Sequence, residues 1–205
     1  MTEFTLSKDA DGIATIIWDV PGKSMNVMSM DGFAELDALI DDALADEAVK
    51  GVVITSGKDS FAGGMDLNVI ARMRDEAGDD PAKGLFEGVM GMHRILRKIE
   101  RAGMDDRNKG GKPIAAALPG TALGIGLELA LACHRIFAAA NAKAKIGLPE
   151  IMVGIFPGGG GTTRLVRKLG AMGASPFLLE GKLSDPKKAK SAGLIDEVAD
   201  DPVAA

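Results

Sequence analysis

Three short apolar runs constrain the fold of this 205-residue chain more than any other feature. They span residues 13–20, 51–55 and 113–118, and each leads, directly or through a loop, into a segment with helical spacing. Short apolar runs bounded by turn residues are typical of strands buried on both faces of a parallel sheet. The repeated order of strand and helix therefore predicts an α/β fold with a mostly parallel sheet.

Apolar residues three and four positions apart predict the helices, and glycine, proline and charge mark the loops. Ser29 or Asp31 is the expected cap of the first helix, because serine and aspartate accept hydrogen bonds from free N–H groups at a helix start. The predicted helices cover residues 31–46, 85–99, 124–133 and 162–169, with a short one that opens at Asp185-Pro186 and stops at Gly193. Residues 72–84 and 103–112 are predicted loops, and residues 135–140 are strand-like.

The composition is that of an ordinary globular domain, with 46% hydrophobic and 26% charged residues. A net charge of -5 argues against a nucleic-acid groove or an anionic membrane surface as the main partner. Cys133 is the one cysteine, so there is no disulfide framework and a reducing compartment fits. The first residues do not resemble a signal peptide, and no apolar run approaches the roughly 20 residues of a membrane span.

Three glycine-bearing loops each follow a strand or a strand-like run. In parallel α/β folds such loops gather at the carboxyl ends of the strands, where ligands bind. Gly63-Gly64 precede Met65, and Gly124 precedes Ile125, so a backbone N–H is left uncovered at each of two helix starts. Two such donors can polarise a carbonyl oxygen, because they direct fixed partial positive charge at developing negative charge.

Two glutamates stand in otherwise apolar, glycine-rich sequence. Glu128 lies about one turn into the helix that the second loop opens, so we expect it to face the same cavity as that loop. Glu150 follows Pro149 and has apolar neighbours on both sides, which predicts a partly desolvated carboxyl suited to proton transfer. If the two carboxyls converge, they form a candidate acid/base pair.

These stretches resemble the crotonase (enoyl-CoA hydratase/isomerase) superfamily over roughly residues 5–198. Phe61-Ala-Gly-Gly-Met-Asp-Leu67 is similar to the first oxyanion loop of that superfamily, and residues 120–133 are similar to the second. Residues 145–162, with Leu148-Pro149-Glu150 and the Gly158–Gly161 run, are similar to its second catalytic stretch. The residues of the last two motifs most resemble those in the hydratase half of the multifunctional α-subunit of fatty-acid β-oxidation.

The resemblance implies a spiral of ββα units and a hydratase that adds water across C2=C3 of a trans-2-enoyl-CoA. It implies that Glu128 activates the water, that Glu150 protonates C2, and that the N–H groups of Met65 and Ile125 hold the thioester oxygen. Its implied substrate-binding positions are Gly64, Asp66, Gly124, Pro149 and Gly158. Family members commonly have glycine where this chain has Ile125 and a small residue where it has Met65; the β-branched Ile125 is expected to restrict the local backbone and crowd the thioester.

The resemblance also sets expectations for cofactors, partners and domains. It implies an acyl-CoA substrate, no cofactor beyond the CoA of that substrate, no metal, and a homo-oligomer (a trimer) or a place in a β-oxidation complex in the cytoplasm. No nucleic acid and no membrane span are expected. Residues 1–198 would form the acyl-CoA domain, and residues 199–205 would begin a truncated C-terminal extension, because crotonases carry further C-terminal helices.

Other interpretations of the same residues stay open. Within the superfamily, the chain is alternatively a 3,2-enoyl-CoA isomerase, and outside catalysis it is a truncated acyl-CoA-binding or assembly module. Gly158–Gly161 lacks the Gly-Lys-Ser/Thr ending of a nucleotide-triphosphate loop, and no acidic ribose partner accompanies residues 120–126 as in a dinucleotide fingerprint. His93, Cys133 and His134 do not have convincing metal-ligand spacing. Lys23, Arg72 and Arg74 are candidate contacts for CoA phosphates, and each is equally well a solvated surface charge.

Overall fold

A computed structural model of the chain describes residues 2–66, 69 and 80–205. Its main sheet has the strand order β1-β2-β3-β4-β6-β9, in which only the β1–β2 pair is antiparallel. These strands are Phe4–Lys8, Ile13–Trp18, Gly51–Ser56, Ile114–Leu118, Arg135–Ala139 and Glu197–Ala199, respectively. The predicted α/β fold with a mostly parallel sheet is confirmed.

A second, small sheet was not predicted. Its strands are β5 (Ala122–Leu123), β7 (Ile146–Gly147) and β8 (Leu183–Ser184), in the order β5-β7-β8. Each has two residues, too few to show any periodicity in the sequence. The β5–β7 pair is parallel, and it joins the second glycine loop to the segment that carries Glu150.

The helices among the described residues are α1 (Met30–Ala45), α2 (Pro81–Arg101), α3 (Ile125–Ala132), α4 (Gly161–Leu179) and α5 (Pro186–Ser191). Ser29 caps α1 by accepting a 2.8 Å hydrogen bond from the Gly32 N–H, as one of the two predicted alternatives. Asp185 likewise caps α5, accepting from the Lys188 N–H at 2.9 Å. Glu150–Val153 form a short 3₁₀ helix.

Two helix boundaries differ from the prediction. Residues 81–84, predicted as loop, form the first turn of α2, because Asp80 accepts a 3.1 Å hydrogen bond from the Lys83 N–H and Pro81 suits a first helical position. Helix α4 continues to Leu179 instead of ending at Leu169, with a break at Gly170, where φ is 72°. Glycine adopts this left-handed conformation without strain, so the chain resumes helical geometry after the break.

The core lies between the main sheet and the helices. Trp18 on β2 stacks on Phe4 with ring centroids 5.2 Å apart, and Phe61 meets it edge-on at 5.9 Å. Helix α1 buries Phe33, Leu36, Ile40 and Ala43, the stripe that its spacing predicts. All eight residues of α3 are buried, so the helix that carries Glu128 runs through the interior.

Lys112 ties the polar loop after α2 to the end of α1. Its Nζ donates to the carbonyl oxygens of Ala43, Leu44 and Asp46 at 3.0, 2.8 and 2.6 Å. A positive charge at a helix C-terminus satisfies free carbonyls and complements the helix dipole. Residues 103–112 lie outside any helix or strand, as predicted.

Candidate active site

The first glycine loop follows β3 and leaves the Met65 N–H available. Met65 forms a parallel bridge with Met28, in which Gly64 O accepts from the Met28 N–H at 2.9 Å and the Asp66 N–H donates to Met28 O at 3.0 Å. In such a bridge the N–H of the central residue points away from the partner strand. The Met65 N–H has no hydrogen-bond acceptor within the described part of the chain.

Gly124 brings the second loop against the first. It precedes α3 with φ 54° and ψ −129°, and its N–H donates to Gly147 O at 3.2 Å. A Cβ on Gly124 would lie 3.6 Å from the Gly64 Cα and 3.3 Å from Glu150 Oε1. The two loops and the Glu150 carboxyl therefore converge at Gly124.

Ile125 supplies a second available N–H at this point. It is the first residue of α3, and the first N–H groups of a helix have no acceptor within the helix. Over residues 2–66, 69 and 80–205, no hydrogen bond engages the Ile125 N–H. With the Met65 N–H, it gives the site two uncovered backbone donors on adjoining loops.

Glu128 is one turn further along α3 and is only 2% exposed. Its Oε1 accepts a 2.7 Å hydrogen bond from the Gly161 N–H, at the start of α4. Burial raises the pKa of Glu128 to about 7, and the nearby Glu150 charge adds to the rise, although N–H donors of Gly161 and Gly159 and the Arg164 charge oppose it. A carboxyl with such a pKa exchanges protons readily near neutral pH.

Glu150 opens the 3₁₀ helix, directly after Pro149. Its Oε2 is buried and has no hydrogen-bond partner among the described residues, and burial raises the pKa of this carboxyl. An unpartnered buried carboxyl oxygen favours the neutral acid, which can donate a proton. The site thus holds two carboxyls with raised pKa values beside two free N–H donors.

Comparison with known proteins identifies the family of the chain. Residues 8–204 match the family model described as enoyl-CoA hydratase/isomerase. The chain belongs to the enoyl-CoA hydratase/isomerase family. The family resemblance inferred from the three motifs is confirmed.

Individual relatives support the same family. The chain is 38% identical over 196 residues to the fatty acid oxidation complex subunit alpha of Shewanella amazonensis, covering 95% of this chain and 26% of that protein. Among solved structures, the enoyl-CoA hydratase of Thermoplasma volcanium has a TM-score of 0.82 and 28% identity, covering 98% of this chain and 73% of that one. The enoyl-CoA hydratase of Bacillus anthracis has a TM-score of 0.81 and 26% identity over 97% and 70%. The chain thus spans about a quarter of the curated relative it matches.

Ile125, the residue after Gly124, turns its side chain into the core. The side chain is 4% exposed, and a Cβ on Gly159 would lie 2.6 Å from Ile125 Cδ1. Gly159 therefore leaves the space that the larger residue occupies. The isoleucine side chain is accommodated beneath the glycine turn at residues 158–161, and the crowding of the thioester by Ile125 stays a prediction.

The apolar residues after Glu150 do not bury it. Glu150 is partly desolvated, as predicted, but Ile151, Met152 and Val153 are 44%, 71% and 68% exposed and so contribute little to its burial. A 3₁₀ helix has three residues per turn, so successive side chains radiate in all directions and cannot all face one carboxyl. The buried residues before it, Ile146 and Leu148, do lie in the core.

The remaining predicted positions have the following places. Asp66 lies 3.5 Å from Lys23 in an ion pair, and its carbonyl accepts from the Val69 N–H. Pro149 directly precedes the 3₁₀ helix, and Gly158 begins the glycine turn. Arg72 and Arg74 lie outside the described residues.

His134 has a structural role, and His93 and Cys133 are not part of a metal site among the described residues. His134 Nδ1 accepts a 2.9 Å hydrogen bond from the Ile114 N–H on β4. In the described ranges, no group of three or more His, Cys, Asp or Glu is placed to hold a metal ion. Within the same ranges, no helix has the length and apolar character needed to cross a membrane.

Sequence reasoning missed two residues that organise the site. Asn26 is fully buried, and its Nδ2 donates to Trp18 O and Phe61 O at 2.9 and 3.0 Å. Its backbone carbonyl accepts from the Gly63 N–H at 2.8 Å, so it anchors the first loop. Arg164, in the first turn of α4, contacts the glycine turn. A single asparagine or arginine adds nothing to a periodic pattern of apolar residues. The hydrogen-bond partners of Asn26 and Arg164 come together only in the folded chain.

Proposed function

We propose that this chain is an enoyl-CoA hydratase region that adds water across the C2=C3 bond of a trans-2-enoyl-CoA and yields a 3-hydroxyacyl-CoA. One observation carries the proposal: Gly124 lies against both Gly64 and the Glu150 carboxyl, so two free N–H groups and two carboxyls occupy one site. Acyl-thioester chemistry needs this set, because charge develops on the thioester oxygen while protons move at neighbouring carbons.

In the proposed reaction the two carboxyls carry one proton between them. The Glu128 carboxylate accepts a proton from water as the water oxygen attacks C3, and the Glu150 acid gives its proton to C2. A new C–O bond and a new C–H bond replace the C=C π bond, so the overall change is the addition of one water molecule. The hydrogen bond from the Gly161 N–H holds Glu128 Oε1 in place during this transfer.

The Met65 and Ile125 N–H groups act on the thioester oxygen. As water adds at C3, negative charge moves onto this oxygen, and fixed donors stabilise it without reorganisation. Removal of one such donor typically lowers turnover by about 10²–10³-fold. The donors belong to the backbone, so the Met65 and Ile125 side chains do not change their chemistry.

The wider assignment rests on the family and on the printed names of its relatives. We infer an acyl-CoA substrate, no resident cofactor beyond the CoA of that substrate, and a cytoplasmic setting. The relative of Shewanella amazonensis is named a fatty acid oxidation complex subunit alpha, which supports a role in fatty-acid oxidation within a complex. From the family resemblance we further infer a homo-oligomer or a complex that also holds a 3-hydroxyacyl-CoA dehydrogenase. Residues 1–198 form the proposed acyl-CoA domain and residues 199–205 begin the proposed extension; β9 ends at Ala199, beside this boundary.

The assay is the loss of enoyl-thioester absorbance when crotonyl-CoA is added. Glu128→Gln and Glu150→Gln are each expected to lower kcat by about 10²–10⁴-fold, because each removes one proton-transfer group while preserving size. Glu47→Gln, an exposed glutamate far along the chain from both loops, is the matched control and keeps the wild-type rate. Circular dichroism verifies that all three variants are folded.

Two results would redirect the assignment. If Glu128→Gln still shifts the double bond of a 3-enoyl-CoA while Glu150→Gln does not, the chain is an enoyl-CoA isomerase. If calorimetry detects binding of an acyl-CoA but the wild-type chain causes no absorbance loss, it is a binding or assembly module. Near-wild-type hydration by either glutamine variant would contradict the assigned roles.

A further inference from the structure

Arg164 is a buried cation at an unusual place. It lies in the first turn of α4, its side chain is 10% exposed, and its backbone N–H donates to Gly160 O at 3.0 Å. The N-terminus of a helix carries partial positive charge, so a cation there is electrostatically unfavourable. The stability of α4 therefore does not explain an arginine at this position.

The guanidinium bridges the glycine turn and helix α2. Nη1 donates to Gly159 O at 3.0 Å, and Nη2 donates to Glu100 Oε2 at 3.1 Å. A Cβ on Gly160 would lie 2.5 Å from Nη1, so the guanidinium packs directly on this turn. The next residue is Gly161, whose N–H holds Glu128 Oε1.

Neutralising Glu100 does not require Arg164. Arg97 Nη1 already lies 2.8 Å from Glu100 Oε2, and Arg167 Nη1 lies 3.6 Å from Oε1. Burial disfavours the charged form of Glu100, but the hydrogen bond from Arg97 and the charge of Arg164 outweigh it, and the pKa of Glu100 falls below its usual value. Glu100 is therefore a stable anion that fixes the fork of Arg164 in place.

We propose that Arg164 is a positioning residue for Glu128: its fork joins Glu100 to the Gly159 carbonyl and so holds the turn whose Gly161 N–H grips the Glu128 carboxyl. This inference deepens the proposed hydratase function and rests on it for its effect on rate. The fork suits the task because a planar guanidinium makes two directed hydrogen bonds at once, whereas an ammonium is a point charge.

A second effect of Arg164 is electrostatic. Its positive charge favours the Glu128 carboxylate and so opposes the rise in the pKa of that carboxyl. The Glu150 carboxyl on the 3₁₀ helix also acts on Glu128 and raises its pKa. On the side of Arg164, the guanidinium contacts Glu100 on α2, His93 Cε1 would lie 3.4 Å from a Cβ on Gly160, and the Arg164 charge opposes the rise to about 12 that burial causes in the pKa of the Cys133 thiol. Among them, Arg164 is the cation that acts on Glu128.

The test compares Arg164→Gln and Arg164→Lys with Arg167→Gln as the control. Arg167 lies on the same helix and pairs with the same glutamate, but its side chain is 68% exposed. The direct readout is the titration of the Glu128 carboxyl by carbon-13 NMR of glutamate-labelled protein, with the resonance assigned by its loss in Glu128→Gln. The second readout is the kcat and KM of crotonyl-CoA hydration.

We expect Arg164→Gln to move the Glu128 titration to higher pH and to lower kcat about ten- to hundredfold with a smaller change in KM. Arg164→Lys keeps the charge, so the Glu128 titration stays near that of the wild type. Lysine cannot make both hydrogen bonds of the guanidinium, so kcat still falls. Arg167→Gln changes neither readout. A purely structural ion pair would lower stability without moving the Glu128 titration.

An unchanged Glu128 titration in folded Arg164→Gln overturns the electrostatic half of the proposal, and a wild-type kcat in Arg164→Lys overturns the bridging half. If Arg164→Gln does not fold, Arg164→Lys alone decides the bridging half. The NMR readout needs no substrate turnover. A shifted titration in a protein whose wild type does not hydrate crotonyl-CoA therefore refutes the proposed function and leaves the electrostatic effect of Arg164 on Glu128 intact.

Discussion

The Gly161 N–H donates a 2.7 Å hydrogen bond to Oε1 of Glu128 across 33 positions of sequence. The first N–H of α4 thus holds a carboxyl on the buried helix α3, and the dipole of α4 favours negative charge at this end of the helix. A Cβ on Gly161 would lie 2.8 Å from Oε1 and 2.9 Å from Cγ of Glu128. A side chain at position 161 would therefore collide with the Glu128 carboxyl, so the observed position of that carboxyl requires glycine at 161.

Gly161→Ala is expected to displace the Glu128 carboxyl and lower kcat about ten- to hundredfold, because small displacements of a catalytic group carry costs of this size. Overpacking adds a loss of about 1–3 kcal/mol in the free energy of unfolding. Crotonyl-CoA hydration and denaturant unfolding measure the two effects. Gly91→Ala on α2 is the control, since its Cβ would meet no atom closer than 3.8 Å; equal rates in both variants would contradict the argument.

The pH dependence of hydration is expected to be bell-shaped around neutrality. The active form holds one proton, so activity rises as Glu128 loses its proton with a pKa of about 7 and falls when Glu150 ionises. Because its pKa is raised, Glu150 keeps its proton to a higher pH than an ordinary glutamate does. The two limbs belong to the coupled pair, not to either residue alone. Measuring kcat/KM from about pH 5 to pH 9 tests this, with unfolding measured at each end; a flat profile would be incompatible with an acid/base pair.

Much of this fold follows from sequence patterns alone. The runs at residues 51–55 and 113–118 correspond to β3 and β4, and the stripe Phe33, Leu36 and Ile40 faces the core as its spacing requires. These elements are long enough for burial to impose a period on the sequence. The strands β5, β7 and β8 are not, and their two-residue lengths follow from tertiary contacts between loops.

The sequence predicted the part of the site in which a carboxylate residue stands within an apolar, glycine-rich segment. Glu128 is buried beside glycine-rich backbone, as the sequence suggested. The partial desolvation of Glu150 was predictable from its apolar neighbours, but the exposure of Ile151–Val153 was not, because it follows from the 3₁₀ turn, which no local pattern signals. Arg164 was not predicted for the same reason, since its role depends on a helix end 64 positions away.

The buried charge of Glu128 is expected to lower stability at alkaline pH. The pKa of Glu128 rises from an ordinary 4.5 to about 7 in the folded state, so folding is favoured by its protonated form. The resulting stability is complete below about pH 4.5 and is lost as pH rises through about 7, with a cost on the order of 3 kcal/mol.

Glu128→Gln should therefore raise the free energy of unfolding by about 1–3 kcal/mol at pH 8.5 and change it little at pH 4.5. Urea unfolding at the two pH values gives both numbers, and the exposed Glu47→Gln serves as the reference for a generic loss of charge. A stability gain of equal size at both pH values would show that packing, not ionisation, causes the change.

Asn26 connects the stability of the core to the first glycine loop. Its Oδ1 accepts from the Val20 N–H at 2.9 Å, and its Nδ2 donates to Trp18 O and Phe61 O. Asn26→Leu has a similar size but leaves the Val20 N–H and Phe61 O without a partner, whereas Trp18 O keeps the hydrogen bond from the Gly57 N–H. Each unpaired group costs about 1–3 kcal/mol, so we expect a loss of about 2–6 kcal/mol in the free energy of unfolding.

Asn141→Ala is the control for this prediction, because Asn141 is exposed and its side chain accepts one hydrogen bond, from the Lys143 N–H. Its expected cost is below about 1 kcal/mol. Folded Asn26→Leu should also hydrate crotonyl-CoA more slowly, since the Gly63 N–H donates to Asn26 O and this contact places the Met65 donor two residues later. A variant with lowered stability but unchanged kcat would confine Asn26 to the core and separate it from the oxyanion loop.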